Sequence, residues 1–307
     1  MRPIMQHTPT VIIIAGATAT GKTALSVQLA SQLSTEIISA DSRQCFRELS
    51  VGVARPTAQE LQKVPHHFIA SQRITEPSNA GLFEQMALQK AADLFTSHSF
   101  IIMCGGTGLY IKSFMEGIDP MPEVPDSVRA AVEEAYQAKG LIWLQRELQH
   151  RDPAFWQQAE QQNPRRLQRA LEVLNATGKS ILQFRNATPA KRPFAVLPIV
   201  ISLPTTQLRQ RIDQRVDSML QQGLLDEVKS VMEYRHLPAL QTVGYRELIE
   251  HLLGKCSLDE AIQKIKTNTW QYARRQITWF KKQPSFIHLH PDEITLEKIQ
   301  EVGATIF

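Results

Sequence analysis

At 307 residues, with 43% hydrophobic and 21% charged side chains, the chain is too long for a minimal domain and too apolar to be disordered, leaving one large domain or two smaller ones. A net charge of +4 and an isoelectric point near 9.0 lean towards a polyanionic partner. The three cysteines, Cys45, Cys104 and Cys256, form no CxxC pair, which argues against a zinc site or a disulfide framework and fits a reducing cytoplasm.

The first apolar run, residues 11–15, is too short for a signal peptide or a membrane span, so no targeting and no membrane association are expected. It reads instead as a buried parallel strand, followed by a glycine-rich turn and an amphipathic helix over 23–33. Residues 36–40 predict a second strand, 82–95 a helix and 100–104 a third strand, an alternation that predicts an α/β fold with a parallel sheet. The pair His66-His67 is read as a turn, not as metal ligands.

After Gly117 the text changes to a linker containing Pro120, Pro122 and Pro125, then to helical sequence rich in Gln, Arg and Glu up to about Gly178. One helix there is well punctuated: Asn163 can cap it, Pro164 suits its first position, Leu167, Ala170, Leu171 and Leu174 make an apolar stripe, and Gly178 can end it. Arg166 and Arg169 share a face beside that stripe, a layout suited to RNA phosphates. Residues 196–202 return to strand-like text, and 207–232 and 258–282 predict long helices of the core. In the last, Trp270, Ala273, Ile277 and Phe280 form one apolar face, with Arg274, Arg275, Thr278, Lys281 and Lys282 on the other side, available to an RNA backbone. The expected organisation is a core over 1–117, a helical insertion over 118–195, and the rest of the core over 196–307.

Chemistry is most legible in the turn after the first strand. Gly16, Ala17, Thr18, Ala19, Thr20, Gly21, Lys22 and Thr23 place two glycines four residues apart ahead of Lys and Thr, between a strand and a helix. Backbone N–H groups of such a loop converge on phosphate oxygens, Lys22 adds positive charge, and the Thr23 hydroxyl can ligate Mg²⁺. A P-loop kinase or ATPase usually adds an Asp at the end of a later strand. Here that strand runs into Cys104-Gly105-Gly106-Thr107-Gly108, and a carboxylate, Asp41, stands instead at the end of the second strand, where an open α/β sheet meets its ligands. The residues alone leave open a small-molecule kinase, a group transferase acting on a diphosphate ester, and an RNA-binding module.

The order of motifs narrows this. Gly16 to Thr23, with Ala17 where a proline is usual, Asp41-Ser42-Arg43-Gln44, Gly52-Val53-Ala54-Arg55-Pro56, Gly105 to Tyr110, Arg165 to Val173, Arg211 to Met219, Val243 to Glu247 and Arg274 to Phe280 together resemble the tRNA dimethylallyltransferase family over about residues 10 to 285. One departure is Gln161-Gln162-Asn163, where Pro-Asn-Asp is usual. The resemblance implies a P-loop core with an inserted helical domain, a monomer, and transfer of a dimethylallyl group from dimethylallyl diphosphate to the N6 amine of the adenosine 3′ to the anticodon, in tRNAs that read codons starting with U. Eight residues, Gly16 to Thr23, would then hold the diphosphate, and Asp41, Thr107, Lys22 and Arg215 would be catalytic: Asp41 as base, Thr107 orienting the donor or the oxygen released, Lys22 and Arg215 neutralising it with Mg²⁺ at Thr23. The tRNA anticodon stem-loop would be bound by Asp41, Ser42, Arg43 and Gln44; by Arg129, Gln162, Asn163, Pro164, Arg165 and Arg166; by Gln241, Thr242, Val243, Gly244, Tyr245 and Arg246; and by Arg274, Arg275, Gln276, Ile277, Thr278, Trp279, Phe280 and Lys281.

Overall fold

The computed structural model of the chain describes residues 8–185 and 188–306. They form two compact units, a core built from the chain up to Glu116 and from Lys191 onward, and a second unit over Gly117–Ala190.

In the core, β1 (Thr10–Gly16), β2 (Ile37–Ser39), β3 (His66–His67), β4 (Phe100–Gly105), β5 (Ala195–Ile201) and β6 (Ile287–Leu289) make one six-stranded sheet in the order β3-β2-β4-β1-β5-β6, and each neighbouring pair is parallel. A strand covered on both faces has no use for polar alternation, and β1 is buried along its whole length. The period of two along a strand sends Val11, Ile13 and Ala15 to one face, beneath Phe83, Ala87, Ala91, Phe114 and Phe280. It sends Ile12 and Ile14 to the other, against Val27, Leu29 and Ala30. Burying each of these larger aliphatic side chains contributes about 1.5–3 kcal/mol.

Helices α1 (Lys22–Leu33), α2 (Ala58–Lys63), α3 (Ala80–Leu94) and α4 (Gly108–Glu116) belong to the first part of the core. The chain leaves β1 for β2 on one side and returns to pair with β1 on the other side as β5, a topological switch of the kind that opens a crevice beyond the strand ends. At that end Gly105 allows a close approach that no other residue permits: a Cβ there would lie 2.2 Å from the Ala40 carbonyl oxygen. The Ala40 N–H donates to the Cys104 carbonyl at 2.7 Å, so the segments leaving β2 and β4 run side by side.

The second unit holds α5 (Asp126–Arg151), interrupted at Gly140 with φ 71°, α6 (Pro153–Gln158) and α7 (Pro164–Thr177). The punctuation of α7 is as the sequence predicts: Asn163 Oδ1 accepts from the Arg166 N–H at 3.3 Å, and Gly178, at φ 69°, ends the helix. Leu167, Ala170 and Leu171 are buried against Leu144, Leu148 and Phe155, with Leu174 partly buried. The unit closes before residue 195 because Arg192 belongs to the core, where its Nε donates to the Phe114 carbonyl at 2.8 Å and its Nη2 to Glu84 Oε1 at 2.7 Å.

The core resumes with α8 (Thr205–Gln221), α9 (Leu224–Ser230), α10 (Tyr245–Leu252), α11 (Leu258–Lys281) and α12 (Leu296–Ile306). The single helix expected over 207–232 is instead α8 and α9, divided by Gly223 at φ 91°, a left-handed conformation that ends one helix and starts the next. Strand β6 was not anticipated, and His66-His67, expected as a turn, pairs with β2 as an edge strand. Helix α11 starts at a reciprocal cap, Ser257 Oγ accepting from the Glu260 N–H at 3.2 Å and Glu260 Oε2 from the Ser257 N–H at 2.8 Å.

Candidate active site

The loop between β1 and α1 is shaped as a nest. Ala19 and Gly21 have positive φ, 65° and 94°, on either side of Thr20, a reversal that turns successive N–H groups into one concavity. For alanine that conformation is uncommon and costs about 1–3 kcal/mol, strain of the kind held at ligand sites. Thr20 is buried and its hydroxyl donates to the Ala17 carbonyl at 2.9 Å, closing the loop on itself. Gly16, Ala17 and Thr20 thus build the loop, while Thr18, Ala19, Gly21, Lys22 and Thr23 line the cavity in front of it.

That cavity, about 410 Å³, is walled by the cradle, by the segments leaving β2 and β4 with Asp41 and Gly105-Gly106, and by α8 and α11 with Arg215, Tyr272 and Gln276. Lys22 is half-buried by surface, but its ammonium is enclosed and donates to the Ala17 carbonyl at 2.7 Å. Burial pushes this ammonium down to about 8, and the Arg215 charge acts in the same direction. Arg215 Nη1 reaches Thr18 Oγ1 at 3.4 Å, and Arg211, one turn earlier, reaches the Thr20 carbonyl at 3.4 Å. Burial disfavours the charge on Arg215 and Asp41 supports it, so the carboxylate and the two cations share one electrostatic neighbourhood.

Asp41 stands two residues beyond the end of β2. Its Oδ1 accepts from the N–H groups of Arg43, at 2.9 Å, and Gln44, at 3.3 Å, a turn that fixes the carboxylate on the cavity wall. Thr107 acts behind it. Its Oγ1 accepts from the Ser42 N–H at 3.1 Å and donates to Ser42 Oγ at 3.3 Å, while its N–H donates to the Ala40 carbonyl at 3.3 Å. The Thr107 hydroxyl thus meets the turn that carries Asp41, beside the cavity wall. A further wall, residues 51–56, is held by Glu227, whose carboxylate accepts from the N–H groups of Ser50, Val51 and Gly52 at 2.8, 2.7 and 2.9 Å and from the Tyr245 hydroxyl at 2.7 Å.

A second cavity, also about 410 Å³, adjoins the first through shared walls at Arg43, Val243 and Tyr272. It gathers Ser42, Gln241, Thr242, Arg246 and Arg275, residues far apart in the chain. Tyr272 lies beneath two guanidinium groups, Arg43 at 5.5 Å and Arg275 at 5.9 Å from the ring centre. Arg246 pairs at 3.1 Å with the buried Glu247, which also accepts from the Asn268 amide at 2.7 Å and the Gly244 N–H at 2.8 Å.

Not every residue expected to meet RNA is exposed. Tyr245 and Phe280 are core residues, 0% and 1% accessible, because each sits on the apolar side of its amphipathic helix. Gln276 is buried as well, and Ile277 and Trp279 are half-buried, Trp279 against Gly108 and Phe280. On the opposite side of α11, Arg274, Arg275, Thr278 and Lys281 are exposed. In the second unit Gln162, Arg165 and Arg166 are exposed and Asn163 and Pro164 half-buried; Arg166 pairs with Glu160 at 3.3 Å, Arg169 with Glu172 at 3.4 Å and Arg129 with Asp126 at 3.9 Å. Surface pairs of this kind are worth about 0–1 kcal/mol. Sequence reasoning missed Arg211, Glu227 and Tyr272; the spacing of Arg211 four residues before Arg215, on one helix face, is a signal that was available.

For a metal, Thr23 offers its hydroxyl at the first turn of α1, on the cavity wall. Among the described residues no group of three or more His, Cys, Asp or Glu side chains could hold an ion. A hydroxyl oxygen beside a phosphate cradle fits Mg²⁺, which keeps several waters and takes ligands from substrate phosphates.

The IPP transferase family matches residues 44–283. Relatives include the tRNA dimethylallyltransferase of Cytophaga hutchinsonii, 42% identical over 93% of this chain and 94% of that one, and tRNA dimethylallyltransferase 1 of Bacteroides thetaiotaomicron, 41% identical over 94% and 93%. Among solved structures, the full-length tRNA isopentenylpyrophosphate transferase of Bacillus halodurans is 31% identical with a TM-score of 0.70, covering 97% of this chain and 95% of that one. A eukaryotic dimethylallyltransferase caught acting on tRNA has a TM-score of 0.78 at 26% identity, covering 97% and 77%. Likeness in sequence over 93% of the chain and in fold over 97% of it makes this chain a member of the IPP transferase family.

Proposed function

We propose that this protein transfers the dimethylallyl group of dimethylallyl diphosphate to the N6 amine of the adenosine immediately 3′ to the anticodon, in tRNAs that read codons beginning with U, and releases diphosphate. The activity is that of tRNA dimethylallyltransferases about as similar to it as 42% identity over nearly the full length. The observation that carries the residue roles is a diphosphate cradle and a fixed carboxylate, Asp41, on the walls of one cavity.

In the step, the N6–C1 bond forms as the bond between C1 and the diphosphate oxygen breaks. The N6 amine is a poor nucleophile because its lone pair is delocalised into the ring, and Asp41 accepts its proton as the bond forms. Negative charge that grows on the departing diphosphate meets Lys22, Arg215 and the N–H groups of the nest, fixed positive groups in a partly dry site. Thr23 would hold Mg²⁺, which when bound would add to the neutralisation of the diphosphate. The adenine has to leave its stack to reach Asp41. The cavity around Tyr272, Arg43, Arg246 and Arg275 supports a role in receiving the flipped nucleotide and its neighbours, since an aromatic ring and guanidinium groups are what unstacked bases and phosphates engage. Arg129, Gln162, Asn163, Pro164, Arg165 and Arg166 in the second unit are proposed as further tRNA contacts. No helix among the described residues is long and apolar enough to cross a membrane, and we place the reaction in the cytoplasm, carried out by a monomer.

The test is stoichiometric: diphosphate should appear only when unmodified tRNA and dimethylallyl diphosphate are both present, with no consumption of ATP. Consumption of ATP with a small acceptor would point to a kinase.

Burial of Lys22 gives this reading a pH signature. Its ammonium is charged below about 8 and neutral above it, so in the unliganded protein the attraction for the donor is lost as pH rises through that value. We expect kcat/KM for the donor, which reports the free enzyme, to decline above pH 8, and the decline to vanish in Lys22→Arg, whose guanidinium stays charged. A decline of the same shape in both proteins would assign it to another group.

The exposed side of α11 makes a second expectation. Replacing Arg274 and Lys281 together by Ala should weaken tRNA binding and reduce its dependence on salt by about one to two counterions, leaving donor affinity unchanged. Titrating tRNA across a salt series decides this, because a merely solvated face predicts no change in affinity or slope.

A further inference from the structure

We propose that Gln276 is a positioning residue that sets the separation of the donor cradle from the Asp41 turn, an inference that rests on the function proposed above. Gln276 is 8% accessible, on α11, with its amide at the cavity wall. Its Oε1 accepts from the Thr18 N–H of the cradle at 2.9 Å, and its Nε2 donates to the Gly106 carbonyl at 2.8 Å. Only one orientation of the amide satisfies an N–H on one side and a carbonyl on the other, so the two partners fix the side chain. The residue after Gly106 is Thr107, whose hydroxyl holds Ser42 beside Asp41. Hydrogen bonds joined by the Gly106–Thr107 peptide therefore run from the cradle through one amide to the turn that carries the base.

A buried glutamine is a costly way to pack a helix on a sheet, since it must be desolvated and loses considerable rotamer freedom. Nearby on the same helix Ala273 and Phe280 do that packing with apolar groups. The amide also packs closely on Gly106: a Cβ added there would lie 2.6 Å from Nε2, so the amide would have to shift. Thr18, moreover, spends its N–H on Gln276, so the glutamine takes one potential phosphate donor out of the cradle. In exchange it ties the leaving-group side of the reaction to the base side, and displacement of reacting groups by about 1 Å can cost about a hundredfold in rate.

Gln276→Met keeps the length and loses both bonds. We expect kcat to fall by about tenfold to a hundredfold, with the donor KM and the tRNA dissociation constant each within about threefold of the parent. Gly106→Ala should give the same split by displacing the amide. Gln276→Glu supplies a sharper signature: protonated, its hydroxyl can donate to the Gly106 carbonyl while the other oxygen accepts from Thr18, so its activity relative to the parent should recover as pH is lowered. A parent-like kcat in Gln276→Met, with or without a lower melting temperature, overturns the proposal. So does a loss confined to tRNA affinity, which would make Gln276 an RNA contact, or a Gln276→Glu ratio that is flat with pH. Absence of transfer in the parent protein would instead remove the proposed function.

Discussion

Asp41→Asn is expected to slow dimethylallyl transfer by about a hundredfold or more while leaving tRNA affinity close to that of the parent. The substitution is clean because the turn survives it. Asparagine keeps an oxygen where Asp41 Oδ1 accepts from Arg43 and Gln44, so residues 41–44 and their contact with Thr107 hold their places. Lost are the capacity to take the N6 proton and the negative charge that supports the protonated state of Lys22 and Arg215. The second loss predicts that the alkaline decline in donor use moves to lower pH in the mutant. Single-turnover rates with saturating tRNA and donor measure the chemical step directly, and a near-parental rate would remove Asp41 from the reaction.

Lys22→Ala is expected to lower kcat/KM for the donor by about a hundredfold to a thousandfold, the range seen when one fixed group that stabilises developing negative charge is removed. Both the bound diphosphate and the departing one lose a charge, so KM should rise and kcat should fall together. The fold should tolerate the change, since the ammonium makes one loop hydrogen bond, to Ala17. Affinity for tRNA, measured without donor, should be unaltered; a defect found mainly there would mean that the loop does not hold the donor.

How far the sequence anticipates this site depends on how local each determinant is. The cradle was legible because every part of it lies within eight consecutive residues whose order is dictated by a strand, a nest and a helix start. Helix α7 was legible for a similar reason, with Asn163, Pro164 and Gly178 each fixed by backbone geometry. Strands β3 and β6 were not, because two and three residues are too few to show a period and their pairing comes from partners distant in the chain. Gly223 shows the ambiguity of a glycine in helical text, which is tolerated in one place and ends the helix in another. The side-chain partners of Thr107 and Gln276 were not legible for a different reason: motif likeness marks a residue as important but does not say which way its side chain points. For Gln276 the spacing held a clue, as it stands four residues from both Tyr272 and Phe280 and so shares their inward side of α11.

The most direct test of the account is to incubate the protein with unmodified tRNA, Mg²⁺ and dimethylallyl diphosphate, digest the RNA and identify its nucleosides and their position. N6-dimethylallyladenosine is expected at the residue 3′ to the anticodon of tRNAs reading codons that begin with U, formed in step with diphosphate and without ATP. Unaltered adenosine at that position, with the donor intact, would contradict it.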